Sequence, residues 1–415
     1  MLLNIFKNTV LLFVLAFISC ASKTKEKISD STEIIEHVQL TEQIPNEAIL
    51  VGANQTEAYL PLLKGKRVGI VANQTSVIFK EGDYTHLVDS LVSLKVDLKK
   101  VFAPEHGFRG TADAGEVVKD GIDTKTGLPI VSLYGKNKKP TAAQLQDIDL
   151  IIFDIQDVGA RFYTYISSLH YVMEACAEAK IPVLIFDRPN PNGHYIDGPI
   201  LEKEHTSFVG MHPIPVVHGM TIGEYAKMIN GEKWLKNGIR CDITVIAMKN
   251  YSHDAKYDLP IKPSPNLPNA KSINLYPSLC FFEGTNVSAG RGTDKQFQVF
   301  GSPFLNTEIF PFTYQFMPEP NEGAKHPKHQ DRICHGMDLS NSAYLSEINL
   351  SYLINAYKAT GDKKSFFNNF FTKLAGTQKL QKQIESGLSA EEIKKTWVSG
   401  LAEYDAMRQT YLLYK

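Results

Sequence analysis

Short, wholly apolar segments that alternate with helical patterns restrict the fold of this sequence more than any other feature. The segment Val68-Gly69-Ile70-Val71-Ala72 is the first of them, and Leu150-Ile151-Ile152-Phe153 is the clearest of the later ones. Between residues 163 and 180, apolar residues recur at i, i+4, i+7, i+11 and i+14, which is the spacing of one helix face. Strands that are apolar throughout are typical of a parallel sheet with helices on both faces. The sequence therefore predicts a doubly wound, Rossmann-like α/β domain.

The apolar runs and helical spacings also predict further strands and helices and a domain boundary. We predict strands at residues 68–72, 99–103, 129–134, 149–154, 181–186, 213–217 and 242–248, and helices at 86–94, 141–146, 163–180, 348–360 and 390–404. Thr141 is a predicted N-cap, and Thr221 with Glu224 three residues later is a predicted capping box. We place the Rossmann-like domain at residues 48–240 and a smaller α/β domain at residues 241–415.

Composition and motif content exclude several classes of protein. The net charge is −1, which gives no electrostatic footprint for nucleic acid. No G-x-G-x-x-G motif follows the first strand and no P-loop motif occurs, so no nucleotide cofactor is expected. The cysteines after residue 20 are too widely spaced for a C-x-x-C zinc site. We therefore expect no metal, no cofactor and no structural disulfide.

The amino terminus reads as a targeting segment. An apolar run over residues 10–18 is too short to span a bilayer but suits a signal peptide, and it ends in Phe17-Ile18-Ser19-Cys20. This ending resembles a bacterial lipobox, which predicts cleavage before Cys20 and lipidation of its thiol. Ordinary signal cleavage near Ser19 is the alternative. Residues 21–47 are polar and form a predicted tether, so the mature protein is expected to be an exported lipoprotein facing the periplasm or the cell exterior.

Ionisable and amide side chains collect at the ends of the predicted strands. Ligands of open α/β sheets bind outside the carboxyl ends of the strands, so these side chains are candidates for a polar substrate cleft. Loops are also polar for solubility alone, which is the alternative. The candidates are Asn73, Glu105, His106, Asp154, Asp157, Asp187 and Arg188.

A second polar stretch lies in the predicted C-terminal domain. Arg291 sits in the glycine-rich segment Ala289-Gly290-Arg291-Gly292, a short distance after Glu283 and Asn286. Small residues allow a backbone to approach a ligand, and an arginine offers a bidentate fork for a carboxylate. A glycine-rich turn with a surface arginine is the alternative.

Several ordered motifs occur along the chain. They are Asn73-Gln74-Thr75, Pro104-Glu105-His106-Gly107-Phe108-Arg109-Gly110, Asp154-Ile155-Gln156-Asp157-Val158-Gly159-Ala160-Arg161-Phe162-Tyr163-Thr164-Tyr165, Asp187-Arg188-Pro189-Asn190-Pro191 and Phe282-Glu283-Gly284-Thr285-Asn286-Val287-Ser288. Together these motifs resemble the exo-β-N-acetylmuramidase family, from about residue 51 to the carboxyl end. This resemblance implies a glycoside hydrolase that releases N-acetylmuramic acid from the non-reducing ends of peptidoglycan fragments. It implies a Rossmann-like domain joined to a second α/β domain, an active site in the cleft between them, and Glu105 as the catalytic residue.

Glycoside hydrolysis requires an acid for the leaving oxygen and a second group on the other face of the sugar. We expect Glu105 to be the acid, with Phe102 and Phe108 as an apolar wall that raises its pKa. His106 either orients Glu105 or is a loop residue. The second group is Asp154, Asp157, Asp187 or Glu283, or the substrate's own acetamido group positioned by Asp157 or Asp187.

The remaining candidates are expected to bind the substrate. Tyr163 is a candidate to stack on a sugar ring, and Arg291, Arg161 and Arg188 are candidates for the lactyl carboxylate of muramic acid. Asn73, Arg109, Asp187, Glu283 and Asn286 complete the predicted binding set. Two other classes stay open: a metal-dependent hydrolase that uses His106, Asp154, Asp157 and His218, and a sugar-binding lipoprotein without catalysis.

Overall fold

A seven-stranded, largely parallel sheet lies at the centre of the computed structural model, which describes residues 48–109 and 120–414. The strands of the described residues, in chain order, are β1 (Val68–Ala72), β2 (Val77–Lys80), β3 (Asp83–His86), β4 (Leu98–Ala103), β5 (Gly121–Ile122), β6 (Pro129–Ser132), β7 (Leu150–Asp154), β8 (Val183–Phe186), β9 (Ile243–Ile246), β10 (Val299–Ser302), β11 (Tyr314–Phe316) and β12 (Cys334–Asp338).

Helices cover the sheet and also occur throughout the carboxyl-terminal part. Those of the described residues are α1 (Thr56–Leu63), α2 (Leu87–Ser93), α3 (Ala142–Leu145), α4 (Tyr165–Ala179), α5 (Ile222–Gly231), α6 (Ala270–Leu279), α7 (Ser351–Ala359), α8 (Phe371–Ala375), α9 (Lys379–Glu385), α10 (Ala390–Lys395) and α11 (Val398–Gln409). None of them is both long enough and apolar enough to cross a bilayer.

The strand order of the main sheet is β5-β6-β4-β1-β7-β8-β9, and every pair except β5–β6 is parallel. The chain moves outward on one side of β1 through β4 and β6, and then on the other side through β7, β8 and β9. This reversal of direction defines a switch point between β1 and β7, where open α/β sheets form their ligand crevice. The predicted Rossmann-like α/β fold is confirmed.

Burial on both faces explains why the strands are apolar throughout. Along β1, Val68 and Ile70 belong to one apolar core and Val71 belongs to the other. Successive side chains of a strand point to opposite faces, so each residue of a doubly covered strand enters one of the two cores. The second core also contains α4 and much of the carboxyl-terminal part of the chain.

The carboxyl-terminal part contains a small antiparallel sheet, in the order β10-β12-β11, and helices α6 to α11. Strand β9, at Ile243–Ile246, pairs with β8 in the main sheet, although it follows residue 240. The boundary that we placed between residues 240 and 241 stays a prediction.

Two predicted elements differ in the structure. Residues 213–217 do not form a strand, and Val217 makes only isolated bridges to Ala160 and Asp197. This segment is apolar because it is packed in the core, with Ile214 and Val216 buried. The predicted helix at 390–404 is two helices, α10 and α11, which meet at Trp397, the N-cap of α11.

The predicted helix caps at Thr141 and Thr221 are confirmed. Thr141 and Thr221 both close capping boxes, with Gln144 and Glu224 as the third helical residues. The four cysteines of the described residues are free thiols and are buried. Cys20, the predicted signal peptide and the predicted tether lie outside the described residues.

Candidate active site

A cavity of about 250 Å³ lies at the carboxyl edge of the main sheet. Glu105 and His106 enter it from the loop after β4, Tyr134 from the end of β6, and Tyr163 from the loop after β7. The carboxyl-terminal part of the chain provides the remaining walls. These include Tyr276, Glu283, Arg291, Phe297 and Phe370.

A tight turn directs Glu105 into the cavity. The N–H of Gly107 donates to the carbonyl of Pro104 at 3.0 Å, and His106 has a φ of 68°. A left-handed φ is uncommon for a residue with a side chain, so this turn holds a sparsely populated backbone conformation. His106 is 4% exposed and lines the cavity beside Glu105.

Two hydroxyl groups donate to the carboxylate of Glu105. Tyr134 bonds Oε1 at 2.8 Å, and Thr164 bonds Oε2 at 2.7 Å. The hydroxyl of Tyr165 donates to the backbone carbonyl of Glu105 at 3.3 Å, and Asn73 donates to that hydroxyl at 2.9 Å. Because a hydroxyl both donates and accepts, this cage accommodates Glu105 with or without its proton.

Tyr134 and Thr164 were not among the predicted site residues. Thr164 lies within a motif that we singled out, and Tyr134 stands at the end of a predicted strand, where we considered only charged and amide groups. Asn73 was predicted to bind substrate. Its side chain is fully buried. The amide nitrogen donates to the hydroxyl of Tyr165, and the amide oxygen accepts from the N–H and the hydroxyl of Thr75. Asn73 therefore positions Tyr165 and does not line the cavity.

The apolar wall of the cavity differs from the predicted one. Phe102 lies in the core on one face of the sheet and Phe108 in the core on the other, and neither lines the cavity. Rings from the later chain provide the wall. Tyr276 contacts Phe162, Tyr163 and Phe297 edge to face, at centroid distances of 5.3, 6.0 and 4.9 Å. The hydroxyl of Tyr163 donates to the carbonyl of Pro263 at 2.7 Å, so this ring is fixed.

Glu283 and Arg291 form an ion pair inside the cavity, with Arg291 Nε 3.0 Å from Glu283 Oε1. The guanidinium lies 5.0 Å from the centroid of Phe297, and its two terminal nitrogens have no hydrogen bond to the described residues. Burial raises the pKa of Glu283, but the nearby charges of Arg291 and Lys328 outweigh it and lower that pKa. Glu283 is therefore an ionised carboxylate at neutral pH.

A half-buried lysine, Lys328, fixes the loop that carries Glu283. The ammonium of Lys328 donates to the carbonyls of Phe282, Thr285 and Val287 at 2.9, 2.7 and 3.0 Å. Asn286 lies in this loop and was predicted to bind substrate. It does not line the cavity, and its side-chain oxygen and nitrogen are shielded from solvent. The predicted role of Asn286 is therefore not carried forward.

Asp154 and Arg188 pair with each other and do not reach the cavity. The guanidinium bonds both carboxylate oxygens, at 2.6 and 2.8 Å, and also donates to the carbonyl of Val77. Asp154 is 0% exposed and Arg188 is 3% exposed. Both carboxylate oxygens and two of the three guanidinium nitrogens of this pair are bonded within the protein, and neither residue lines the cavity, so the predicted catalytic and substrate-binding roles are not supported.

Asp187 and Asp157 are also committed to internal contacts. Asp187 accepts hydrogen bonds from Thr221 and Tyr414 and from the N–H of Gly223, which ties the start of α5 and the carboxyl terminus to β8. Burial raises the pKa of Asp187 to about 6, although these donors oppose the shift. Asp157 is 4% exposed and accepts from the N–H of Gly159 at 2.7 Å. Neither lines the cavity.

Two of the predicted substrate-binding arginines are structural. Arg161 is fully buried and donates to four backbone carbonyls, those of Pro199, Ile214, Leu374 and Ala375, at 2.6–2.9 Å. Burial lowers its pKa to about 9. Arg109 pairs with Asp89 and Asp123 and lines a different cavity, together with His86 and Lys125.

The side chains do not assemble the metal site that we left open. Asp154 is occupied by Arg188, and Asp157 lies 3.4 Å from His218 without the other two predicted ligands. Within the described residues, Glu202, Glu204 and His205 do lie close enough together to hold an ion, but they stand outside the cavity.

Comparisons with known proteins agree with this architecture. Residues 68–271 match the family model described as "Exo-beta-N-acetylmuramidase NamZ, N-terminal", and residues 274–414 match the corresponding C-terminal model. The chain is 40% identical over 377 residues to the peptidoglycan beta-N-acetylmuramidase NamZ of Bacillus subtilis. This match covers 86% of the present chain and 89% of the Bacillus protein.

Solved structures show the same fold. A DUF1343 family protein from Bacteroides fragilis is 48% identical, with a TM-score of 0.81, and the match covers 89% of this chain and 99% of the other. A second DUF1343 family protein from the same organism is 30% identical, with a TM-score of 0.74 and coverages of 88% and 99%. The predicted resemblance is thereby confirmed over nearly all of the described residues.

Proposed function

The chain belongs to the exo-β-N-acetylmuramidase NamZ family and is a glycosidase of peptidoglycan-derived saccharides, and we propose that Glu105 is its general acid. One observation carries this proposal. Glu105 is a carboxyl group in the cavity, held by Tyr134 and Thr164 at the carboxyl edge of the sheet. A glycosidase acid must reach the leaving oxygen with a fixed carboxyl group, and this cage provides one.

We propose Glu283 as the second carboxylate. The structure leaves it as the only other acidic residue, among those described, that lines the cavity. The nearby charges of Arg291 and Lys328 lower its pKa, so it is an ionised carboxylate at neutral pH. An ionised carboxylate suits the second role beside a general acid. Glu283 then activates the water, or steadies the positive charge that develops on the sugar.

We propose that Arg291 binds the lactyl carboxylate of the muramic residue. Its Nε is held by Glu283, while its terminal nitrogens are available to a ligand. An arginine fixed in this way offers a planar, bidentate site for a carboxylate. Glucosamine lacks the lactyl group, so this contact distinguishes the two sugars.

The first experiment measures chromophore release from an aryl β-N-acetylmuramide by the wild type, Glu105→Gln and Glu283→Gln. Removal of a general acid or base typically costs ~10²–10⁴-fold in rate, so both variants are expected to lose activity to this extent with near-native melting. Glu178→Gln, which changes a carboxylate paired with Lys139 outside the cavity, is the control. Full activity of Glu105→Gln would move the acid to another residue. Tight binding without turnover by the wild type would instead indicate a sugar-capture protein.

The second experiment compares muramide and glucosaminide glycosides. Arg291→Ala is expected to reduce the ratio of their kcat/KM values by about tenfold, since a bidentate charged contact is worth ~1.5–3 kcal/mol. Arg332→Ala is a matched control, because this guanidinium also lies 5.0 Å from a phenyl ring, that of Phe304, outside the cavity. An unchanged ratio in Arg291→Ala would refute the assignment.

We also propose that the protein is exported and anchored through lipidated Cys20. The support is the lipobox-like ending of the apolar run and the polar tether after it. Metabolic labelling with a tagged fatty acid should mark the wild type and not Cys20→Ala. Equal labelling of both, or soluble export of the wild type, would favour ordinary signal cleavage.

A further inference from the structure

Glu105 and Arg291 both line the cavity. An enzyme that removes a terminal sugar must let the rest of the substrate leave past its acid, which here is Glu105. Tyr134, which is bonded to Glu105, and Phe208 also line the cavity, and both are partly exposed.

A row of aromatic rings leads outward from Glu105. Tyr134 bonds the Glu105 carboxylate, and its ring centroid is 6.3 Å from that of Phe208. Phe208 in turn lies 6.3 Å from Tyr171, nearly parallel to it, and Tyr171 does not line the cavity. The row therefore begins beside the acid and continues beyond the mouth of the cavity.

A lysine stands on this row. The ammonium of Lys138 lies 4.2 Å from the ring centroid of Phe208 and forms no ion pair with a carboxylate of the described residues. The adjacent Lys139, by contrast, is paired with Glu174 and Glu178. A cation held over an aromatic ring keeps its charge available to an anionic ligand.

We propose that Tyr134 and Phe208 form the subsite for the sugar that leaves with the scissile oxygen, and that Lys138 binds an anionic group carried by the following residue. The proposal rests on Glu105 being the acid, because the oxygen that Glu105 protonates belongs to this leaving sugar. An aromatic ring offers an apolar surface to the C–H face of a sugar. In a glycan that alternates glucosamine and muramic acid, the residue after the leaving sugar carries the next lactyl carboxylate.

The test uses three substrates of increasing length. β-N-Acetylmuramyl fluoride has no leaving sugar, the disaccharide muramyl-glucosamine (both N-acetylated) has one, and the corresponding tetrasaccharide adds a second lactyl carboxylate. Phe208→Ala should lower kcat/KM for the disaccharide about tenfold, equal to ~1.4 kcal/mol, and leave the fluoride unchanged. Lys138→Ala should lower kcat/KM for the tetrasaccharide several-fold, leave the disaccharide unchanged, and lose its effect at high salt.

Two matched controls address general effects of truncation. Phe304→Ala removes a 46% exposed ring that also carries a cation above it, and Lys136→Ala removes a neighbouring exposed lysine. Equal losses on all three substrates, or no loss on the longer ones, would overturn the subsite and leave the proposed function intact. Failure of the wild type to hydrolyse the fluoride and the disaccharide would overturn both.

Discussion

Replacing Arg188 by methionine tests whether this arginine holds the fold or binds the substrate. The guanidinium is 3% exposed and bonds Asp154, which is 0% exposed, through both carboxylate oxygens. Methionine keeps an unbranched side chain in the space but removes the charge. The variant therefore leaves a carboxylate buried without a partner, while the volume of the core changes little.

The expected cost follows from this geometry. Removing one partner of a buried ion pair typically destabilises a protein by ~3–5 kcal/mol. The carbonyl of Val77 also loses the donor that Arg188 provides, which adds ~1 kcal/mol. We therefore expect the free energy of unfolding to fall by about 5 kcal/mol, a large part of the ~5–15 kcal/mol that domains of this kind possess.

The loss of stability in Arg188→Met should depend on pH in a direction that can be worked out. In the variant, burial without Arg188 raises the pKa of Asp154 above its unfolded value, so the folded state takes up a proton. The stability that this proton contributes is present at low pH and is lost as the pH rises through the raised pKa. Urea unfolding should therefore show a smaller deficit, relative to the wild type, at about pH 5 than at about pH 8.

A double variant and a kinetic measurement complete the test. Asp154→Leu with Arg188→Met removes both charges and should be more stable than Arg188→Met alone, without the pH dependence. The reasoning would be refuted if Arg188→Met unfolded within about 1 kcal/mol of the wild type while its KM for the aryl muramide rose tenfold. That pair of results would place Arg188 on the substrate.

Three further predictions concern Arg161, His86 and Tyr134. Arg161→Ala should lower the free energy of unfolding by ~3–5 kcal/mol, because four carbonyls lose their donor; the folded fraction should keep a native KM, and a raised KM with native stability would contradict this. Burial lowers the pKa of His86 to about 4, so this residue should remove about 3 kcal/mol of stability as the pH falls from about 6.5 to 4. His86→Asn keeps a cap for α2 and should lessen that loss in urea titrations, whereas an unchanged pH profile would exclude His86 as its source. Tyr134→Phe removes one hydroxyl from Glu105 and should lower kcat for the disaccharide about tenfold, with a smaller effect on the fluoride, whose departure needs little help from an acid; a change confined to KM would assign this hydroxyl to binding.

The sequence predicts the sheet well because each strand enters two apolar cores and so carries its burial in its own residues. It also predicts that Glu105 lies at a ligand-binding edge, since that inference needs only the order of strands and loops. It does not distinguish Glu105 from Asp154, because both lie at the carboxyl end of a predicted strand. Whether such a carboxyl group faces a cavity or a buried guanidinium depends on Arg188, which lies 34 positions from Asp154 in the chain.

Long-range packing also explains why the walls of the cavity were missed. Tyr134, Phe208 and Phe370 reach the same cavity from three distant parts of the chain, and no local pattern marks any of them. The sequence predicts Arg161 as a candidate ligand of the lactyl carboxylate. Its burial and its four carbonyl partners become visible only once Leu374 and Ala375 are placed beside it.

Two cations, the buried Arg161 and the half-buried Lys328, thus fix loops of the cavity through backbone carbonyls, and a third cation is left for the substrate. Arg161 bonds Leu374, which itself lines the cavity, and the same segment of chain carries Phe162 and Tyr163. Lys328 fixes the loop of Glu283 through three carbonyls. Both loops are therefore fixed before substrate arrives, and preorganised groups need no rearrangement at the moment of reaction. Arg291 differs from these two cations because its terminal nitrogens meet no carbonyl among the described residues, and it is the one whose loss should alter the choice of sugar more than the stability of the fold.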